Sequence, residues 1–342
     1  MKQFLKLNHT KAIRSAHWLA RVACFPVMLF IVMGLFSCSK NNDAPSTGLY
    51  TKNDASKQVV QTIATNLGTG FNTVFDTLIT DSTSRASFCH DFTHAARFFA
   101  DESGYVFVES LNGYNIAHPG MPEQEGTSTI NQTDAYGKPI VVEMINLAQY
   151  IGFGFLEYAW QDPATQVIEN KLTFVKQIPA SHWYAGAGFY LDSDLPLMSA
   201  QEVNDLVVIS SVDAVAKGMG TVLTAQHTDS LQRVELMRTF LQHIRFFDDL
   251  SGYYYVIDFS GYNVVQPPNP AIQGTNEWNI QDSHGNYLVQ GLIATAQSGG
   301  GFYEYYWINY QTGEEELKRA FVKQIPGYNY LIGSGTYMGS TH

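Results

Sequence analysis

The chain has 342 residues, with 31 acidic against 20 basic side chains and a formal net charge of −11. Five of the bases (Lys2, Lys6, Lys11, Arg14 and Arg21) and none of the acids precede Ser39, which leaves 15 bases against 31 acids, a balance of −16, in the rest. No Lys/Arg cluster interrupts that acidic part, which argues against nucleic acid or anionic lipid as a direct partner.

The first segment reads as an export signal. The basic stretch is followed by an uncharged, mostly apolar run from Val22 to Phe36, short of the ~18–20 residues of a spanning helix. It ends in Leu35-Phe36-Ser37-Cys38, which resembles a bacterial lipobox apart from a bulky Phe36. Residues 1–38 are therefore expected to be a lipoprotein signal with Cys38 as the lipidated residue, attached to the membrane through that lipid alone. Residues 39–54 are expected to be a flexible tether, given the polar run that opens them. Cys24 would leave with the signal, so Cys89 remains without an intrachain partner and reads as a small buried apolar residue.

Beyond the tether the chain repeats itself. Phe98-Phe99 recurs as Phe246-Phe247, Gly104-Tyr105 as Gly252-Tyr253 and Gly113-Tyr114-Asn115 as Gly261-Tyr262-Asn263, each 148 positions on. The offset then becomes 147, for Tyr158/Tyr305, Trp160/Trp307, Lys171/Lys318, Gly186/Gly333 and the pentapeptide Val175–Pro179, unchanged at Val322–Pro326. A period of this size is a domain, not a solenoid repeat of ~20–50 residues. Two homologous domains are expected, at 55–196 and 197–340.

Within the first unit, Val59, Val60, Ile63 and Leu67 fall at helical spacing. Val74, Phe75 and Leu78 continue it after an interruption at Gly68-Thr69-Gly70. A second helix is expected from about Ser84, carrying Phe88 and Phe92 into Arg97-Phe98-Phe99. Tyr105–Leu111 is rich in strand formers and runs into Asn112-Gly113, a strong hairpin turn. A Pro/Gly-rich loop follows (His118 to Pro122), then Asp134-x-x-Gly137 as a type I turn. A helix is expected over about Pro139 to Tyr150, then strands Phe155–Trp160, Leu172–Ile178 and Trp183–Tyr190, the first two joined by a turn at Asp162-Pro163. The second unit repeats the plan, with Asp229 or Ser230 capping its second helix. The fold class is α+β: a long helical segment packed on one antiparallel sheet, twice.

The ordered set Gly104-Tyr105, Asn112-Gly113, His118-Pro119, Glu125-Gly126, Asp134-x-x-Gly137 and Gly152-x-Gly154-Phe155-x-Glu157-Tyr158-x-Trp160 resembles the single Cache domain (type 2). Lys171, Phe174-Val175-Lys176, Trp183 and Gly186-x-Gly188-x-Tyr190 continue the match, and the second unit repeats it through Tyr337. The resemblance implies a PAS-like fold used outside the membrane to bind small molecules, often organic acids. Most relatives join it to a receptor or kinase output through a membrane helix. This sequence ends at His342 just after the last strand, so the expectation is ligand presentation to an envelope partner.

Tyr158 and Trp160 share a face of one strand, as do Tyr305 and Trp307, and read either as an aromatic ligand wall or as sheet core. Lys171 and Lys318 begin the next strand, as partners for a carboxylate or as exposed strand ends. Arg97 and Arg245 are either guanidinium clamps or charges placed at a helix C-terminus. His118 has Gln266 as its counterpart, and only His titrates near neutrality. His90 and His94 would share a helical face as metal ligands, but the second unit offers Arg238 and Gln242, so no metal is expected. No HExxH, phosphate loop or GxSxG elbow is present. The expectation is a non-enzymatic, cofactor-free lipoprotein binding a small metabolite. The alternative is a lipoprotein whose domains bind a protein or glycan.

Overall fold

The computed structural model describes residues 48–162, 165–192, 197–226 and 229–338. The expected export signal with Cys38, most of the expected tether and Pro163 lie outside them.

The first domain begins with α1 (Lys52–Thr77) and α2 (Ser82–Ala95). Thr51 and Asp54 form a capping box at the start of α1, each side chain accepting the other's backbone N–H. Asp81 caps α2. Strands β1 (Arg97–Phe98), β2 (Gly104–Ser110) and β3 (Asn115–Ala117) follow, then α3 (Ile140–Asn146), which runs on through a π turn to Ile151. Strands β4 (Phe153–Gln161), β5 (Ile168–Ile178) and β6 (Trp183–Tyr190) complete an antiparallel sheet in the order β1-β2-β6-β5-β4, with β3 beside β2.

The second domain repeats the plan with α4 (Ala200–Gln226), α5 (Ser230–Leu241), β7 (Tyr255–Asp258), β8 (Asn263–Val265) and α6 (Leu288–Gln297). Strands β9 (Gly301–Ile308), β10 (Glu315–Gln324) and β11 (Tyr330–Tyr337) close its sheet in the order β8-β7-β11-β10-β9. Asp229, not Ser230, caps α5.

One expectation is corrected. Gly68 and Gly70 do not interrupt α1, which runs unbroken through them. A Cβ on Gly70 would stand 2.5 Å from the Phe240 ring, and one on Gly68 would stand 2.8 Å from Lys176. The glycines are there for contact: each costs a helix about 1 kcal/mol relative to alanine, offset at Gly70 by the Phe240 ring and at Gly68 by the close approach of β5 at Lys176. The second domain answers in kind, because a Cβ on Gly218 would stand 2.3 Å from the Phe92 ring. Phe92 and Phe240 stack at 5.1 Å, and Phe71 meets both edge-on at 5.4 and 5.7 Å.

The result is one apolar core running through both domains, built from α1, α2, α4 and α5. Buried between them, Asn66 Nδ2 donates to the Tyr254 hydroxyl at 2.9 Å. Among the described residues one helix, Ala200–Ala225, is long and apolar enough to cross a membrane, and 72% of that stretch is buried in this core. Cys89 is fully buried there too, and burial pushes its thiol pKa up.

Candidate functional site

Each sheet has two faces, and strand alternation sorts the side chains between them. On β2, Val106 and Val108 point into the core shared with α1, while Tyr105, Phe107 and Glu109 point the other way. On β5, Leu172 and Phe174 face the core and Lys171 and Thr173 the opposite side. There α3 and the loop after β3 cover the sheet and enclose a small cavity of about 20 Å³. Its wall includes Tyr105, Glu109, His118, Tyr158, Trp160 and Lys171.

The Gly186-x-Gly188 repeat lets side chains of the neighbouring strands lie across β6. A Cβ on Gly186 would stand 2.2 Å from the Phe107 ring, and one on Gly188 2.3 Å from Thr173 Oγ1. Asp134 fixes the edge: its carboxylate accepts the N–H groups of Tyr136, Lys138 and Ala159, pinning the turn to β4.

Lys171 pairs directly with Tyr158 across β4 and β5 and is only 3% exposed, which removes the reading of an exposed strand end. Its Nζ donates to the Tyr105 hydroxyl at 2.9 Å and lies 4.8 and 5.1 Å from the Tyr105 and Tyr190 ring centres. It forms no ion pair among the described residues. Burial works against its charge, the phenols of Tyr105, Tyr158 and Tyr190 work for it, and the balance lies above the ordinary lysine range.

His118 stacks on Phe107 at 5.1 Å and is 5% exposed. Its backbone N–H donates to Glu125 Oε1 at 2.6 Å, and its Nδ1 has no partner among the described residues. Burial first, then Lys171, lowers the imidazole pKa to about 3, so the ring is neutral. Glu109 accepts a short hydrogen bond from the Tyr184 hydroxyl and a long one from Thr129 at 3.4 Å. Burial raises its pKa, which those hydroxyls partly offset.

The second domain encloses a cavity of the same size, about 20 Å³, lined by Tyr253, Tyr255, Gln266, Glu277, Tyr305 and Trp307 among others. Lys318 pairs with Tyr305 across the strands, is fully buried, and donates to the Tyr253 hydroxyl at 2.9 Å. Burial lowers its pKa to about 7. Gln266 Nε2 donates to the same hydroxyl at 3.4 Å. Where the first domain has Glu109 and Thr129, the second has Ile257 and Glu277, so its carboxylate comes from the loop and accepts from Asn263 Nδ2 at 3.1 Å.

The fold therefore brings His118, Tyr158, Trp160 and Lys171 together, and likewise Gln266, Tyr305, Trp307 and Lys318. It does not bring the arginines. Arg97 donates to the carbonyls of Thr93 and Ala96 at the end of α2, and Arg245 to those of Gln242 and Ile244 after α5. Arg245 instead borders a separate polar cleft of about 330 Å³ between α1, α4 and the segment after α5. Sequence reasoning passed over Tyr105 and Tyr253 as ligand-facing residues, although both stood in the repeat beside the glycine. It also missed Glu109 and Glu277, which no repeat marks.

A family model described as Cache domain matches residues 51–205, and one described as Single Cache domain 2 matches residues 208–341. The chain belongs to the Cache family, as two Cache domains in tandem. It is similar to the sensor histidine kinase MctS of Rhizobium johnstonii, at 38% identity over 91 residues, 27% of this chain and 20% of that protein. It is also similar to the methyl-accepting chemotaxis protein McpP of Pseudomonas putida, at 24% identity over 126 residues, 37% of this chain and 23% of that protein. The chain thus spans less than a quarter of either curated relative. Among solved structures, a Cache chemosensory domain described for its carboxylic acid recognition matches 41% of this chain and 94% of its own, at 23% identity and a TM-score of 0.36.

Proposed function

We propose that the chain is an exported, lipid-anchored, non-enzymatic sensor in which the first domain binds a small carboxylate and an envelope partner reads the result. The observation that carries this is Lys171: a buried ammonium with no ion pair among the described residues, in a cavity walled by aromatic rings and shared with His118, whose Nδ1 has no partner among them either. The surrounding phenols keep Lys171 charged, and a carboxylate would add the ion pair that no described residue supplies. A carboxylate could accept from Lys171 and Tyr105, with its short apolar tail against Tyr158 and Trp160. A cavity of about 20 Å³ has room for about one water molecule. The ligand is therefore small, and the loop carrying His118 and Met121 moves to admit it. Both lysines bond a tyrosine hydroxyl alike, but in the second domain Gln266 stands in place of His118 and its amide bonds Tyr253, which favours a supporting role there.

A second reading has its own support. Tyr150, Ile151 and Phe153 are exposed beside one another in the first domain, as a protein-binding surface would be.

A thermal-shift screen of the full chain in mild detergent separates the two. A monocarboxylate of a few carbons is expected to stabilise the fold by mass action, on the order of 2–3 kcal/mol at a hundredfold excess over Kd, and so to raise the melting temperature. Lys171→Met should abolish the shift and Lys318→Met should keep it. If no carboxylate shifts the folded protein, the interaction reading moves ahead.

A further inference from the structure

Away from both cavities, α2 carries His90 and His94 one turn apart, their rings stacked at 4.1 Å. The loop after β3 brings Glu125 against them. His94 Nε2 lies 2.7 Å from Glu125 Oε1, and His90 Nε2 lies 3.7 Å from Glu125 Oε2. One ligand atom from each of the three residues lies within 4.8 Å of the other two.

A zinc ion bonds nitrogen and oxygen at about 2.0–2.2 Å, which sets tetrahedral ligands about 3.4 Å apart. The separations to the two oxygens of Glu125 bracket that value and no pair of ligand atoms is more than 4.8 Å apart, so side-chain rotation closes the site. His90 is half exposed, which leaves an approach for the ion and a place for water to complete its shell. On the far side of His90, Nδ1 faces the Asp91 carboxylate at 3.5 Å, the kind of outer partner that orients metal-bound imidazoles.

The second domain supplies the control. At the positions equivalent to His90, His94 and Glu125 it has Arg238, Gln242 and Gln273. Gln273 Oε1 accepts the backbone N–H of Gln266 at 3.1 Å, just as Glu125 Oε1 accepts that of His118. A neutral amide therefore suffices to anchor this loop. The negative charge of Glu125, and the two imidazoles it faces, exceed what the anchor requires.

We propose that His90, His94 and Glu125 form a divalent transition-metal site of the zinc class, which ties α2 to the loop running from His118 to Glu125. Binding replaces the His94–Glu125 hydrogen bond. The proton on His94 Nε2 moves to Nδ1 or to solvent, as metal ligation requires. Because Glu125 holds the His118 backbone and Met121 lines the cavity, the ion would stiffen that side of the first domain and have no counterpart in the second.

The test is a cobalt(II) titration of the full chain in detergent, read by visible ligand-field absorption, with retained zinc counted after dialysis. One equivalent is expected. His90→Ala, His94→Ala and Glu125→Gln should each weaken binding at least tenfold. The second domain shows that glutamine keeps the loop anchored, so Glu125→Gln should melt like the parent and lose only the metal. Hydrogen exchange of the amides across residues 118–125 should slow on zinc addition. No stoichiometric uptake, or uptake unchanged in His94→Ala and Glu125→Gln, would overturn the site. Uptake that leaves loop exchange unchanged would overturn the tie.

Discussion

At the glycine–phenylalanine contacts of their shared core the two domains mirror one another, and around the cavity lysines their polar partners differ. Gly70 of the first receives Phe240 of the second, and Gly218 of the second receives Phe92 of the first. Opposite that shared core, a neutral histidine faces one lysine and a glutamine the other, and a carboxylate on β2 gives way to one on the loop. A tight contact punishes change on either partner, so these four positions match, although around them Phe71, Phe75 and Phe88 are replaced by Met219, Leu223 and Leu236. The cavity walls are bound by no such reciprocity, and there the domains have diverged.

The largest expected effect tests the copied side. Gly70→Val and Gly218→Val each drive a side chain into a phenylalanine ring across the domain interface. Each should destabilise by on the order of 3 kcal/mol, to a similar degree, with the whole chain still melting in one transition because the core is continuous. Urea unfolding followed by far-ultraviolet circular dichroism measures this. Clearly unequal losses, or two separate transitions, would break the picture of a reciprocal interface.

The same contrast explains what could be read from the sequence. Period and parity placed Tyr158, Trp160 and Lys171 on one face, because strand alternation and a directly paired hairpin leave little freedom. Lys171 being buried was not legible, since the loop and α3 that cover it are joined to β5 only by tertiary packing. Gly68 and Gly70 misled for a related reason: local propensity marks a break, and only the Phe240 ring, 170 residues beyond Gly70, says otherwise. Glu125 and the two histidines of α2 likewise meet only in the folded chain.

A smaller effect probes the diverged side. Glu109 and Tyr184 are both buried and satisfy each other, while the second domain has Ile257 and Leu331 at those positions. Glu109→Ile alone strands the Tyr184 hydroxyl, and Tyr184→Phe alone strands the carboxylate. Each should cost about 1–3 kcal/mol. The double variant should recover most of that, since an apolar pair leaves nothing unsatisfied. A double-mutant cycle on urea midpoints should give a coupling of about 1 kcal/mol or more. Additive losses would mean that the pair does not hold the wall together.

A pH effect concerns Lys318. Its pKa in the folded protein lies near 7, because burial among Tyr253, Tyr255 and Tyr337 disfavours the ammonium. In the unfolded chain a lysine titrates near 10.4. Between those values the unfolded state binds the extra proton, so stability rises with pH across that window, by at most about 1.4 kcal/mol per unit from this group. Below pH 7 both states are protonated and the slope vanishes. Above about pH 10 the buried tyrosines oppose it, because their raised pKa values let the unfolded state ionise first. Lys318→Met has no proton to exchange and should flatten the rise between pH 7 and 9.5 in urea midpoints. A slope that survives in Lys318→Met would assign the titration to another group and remove this distinction between the two domains.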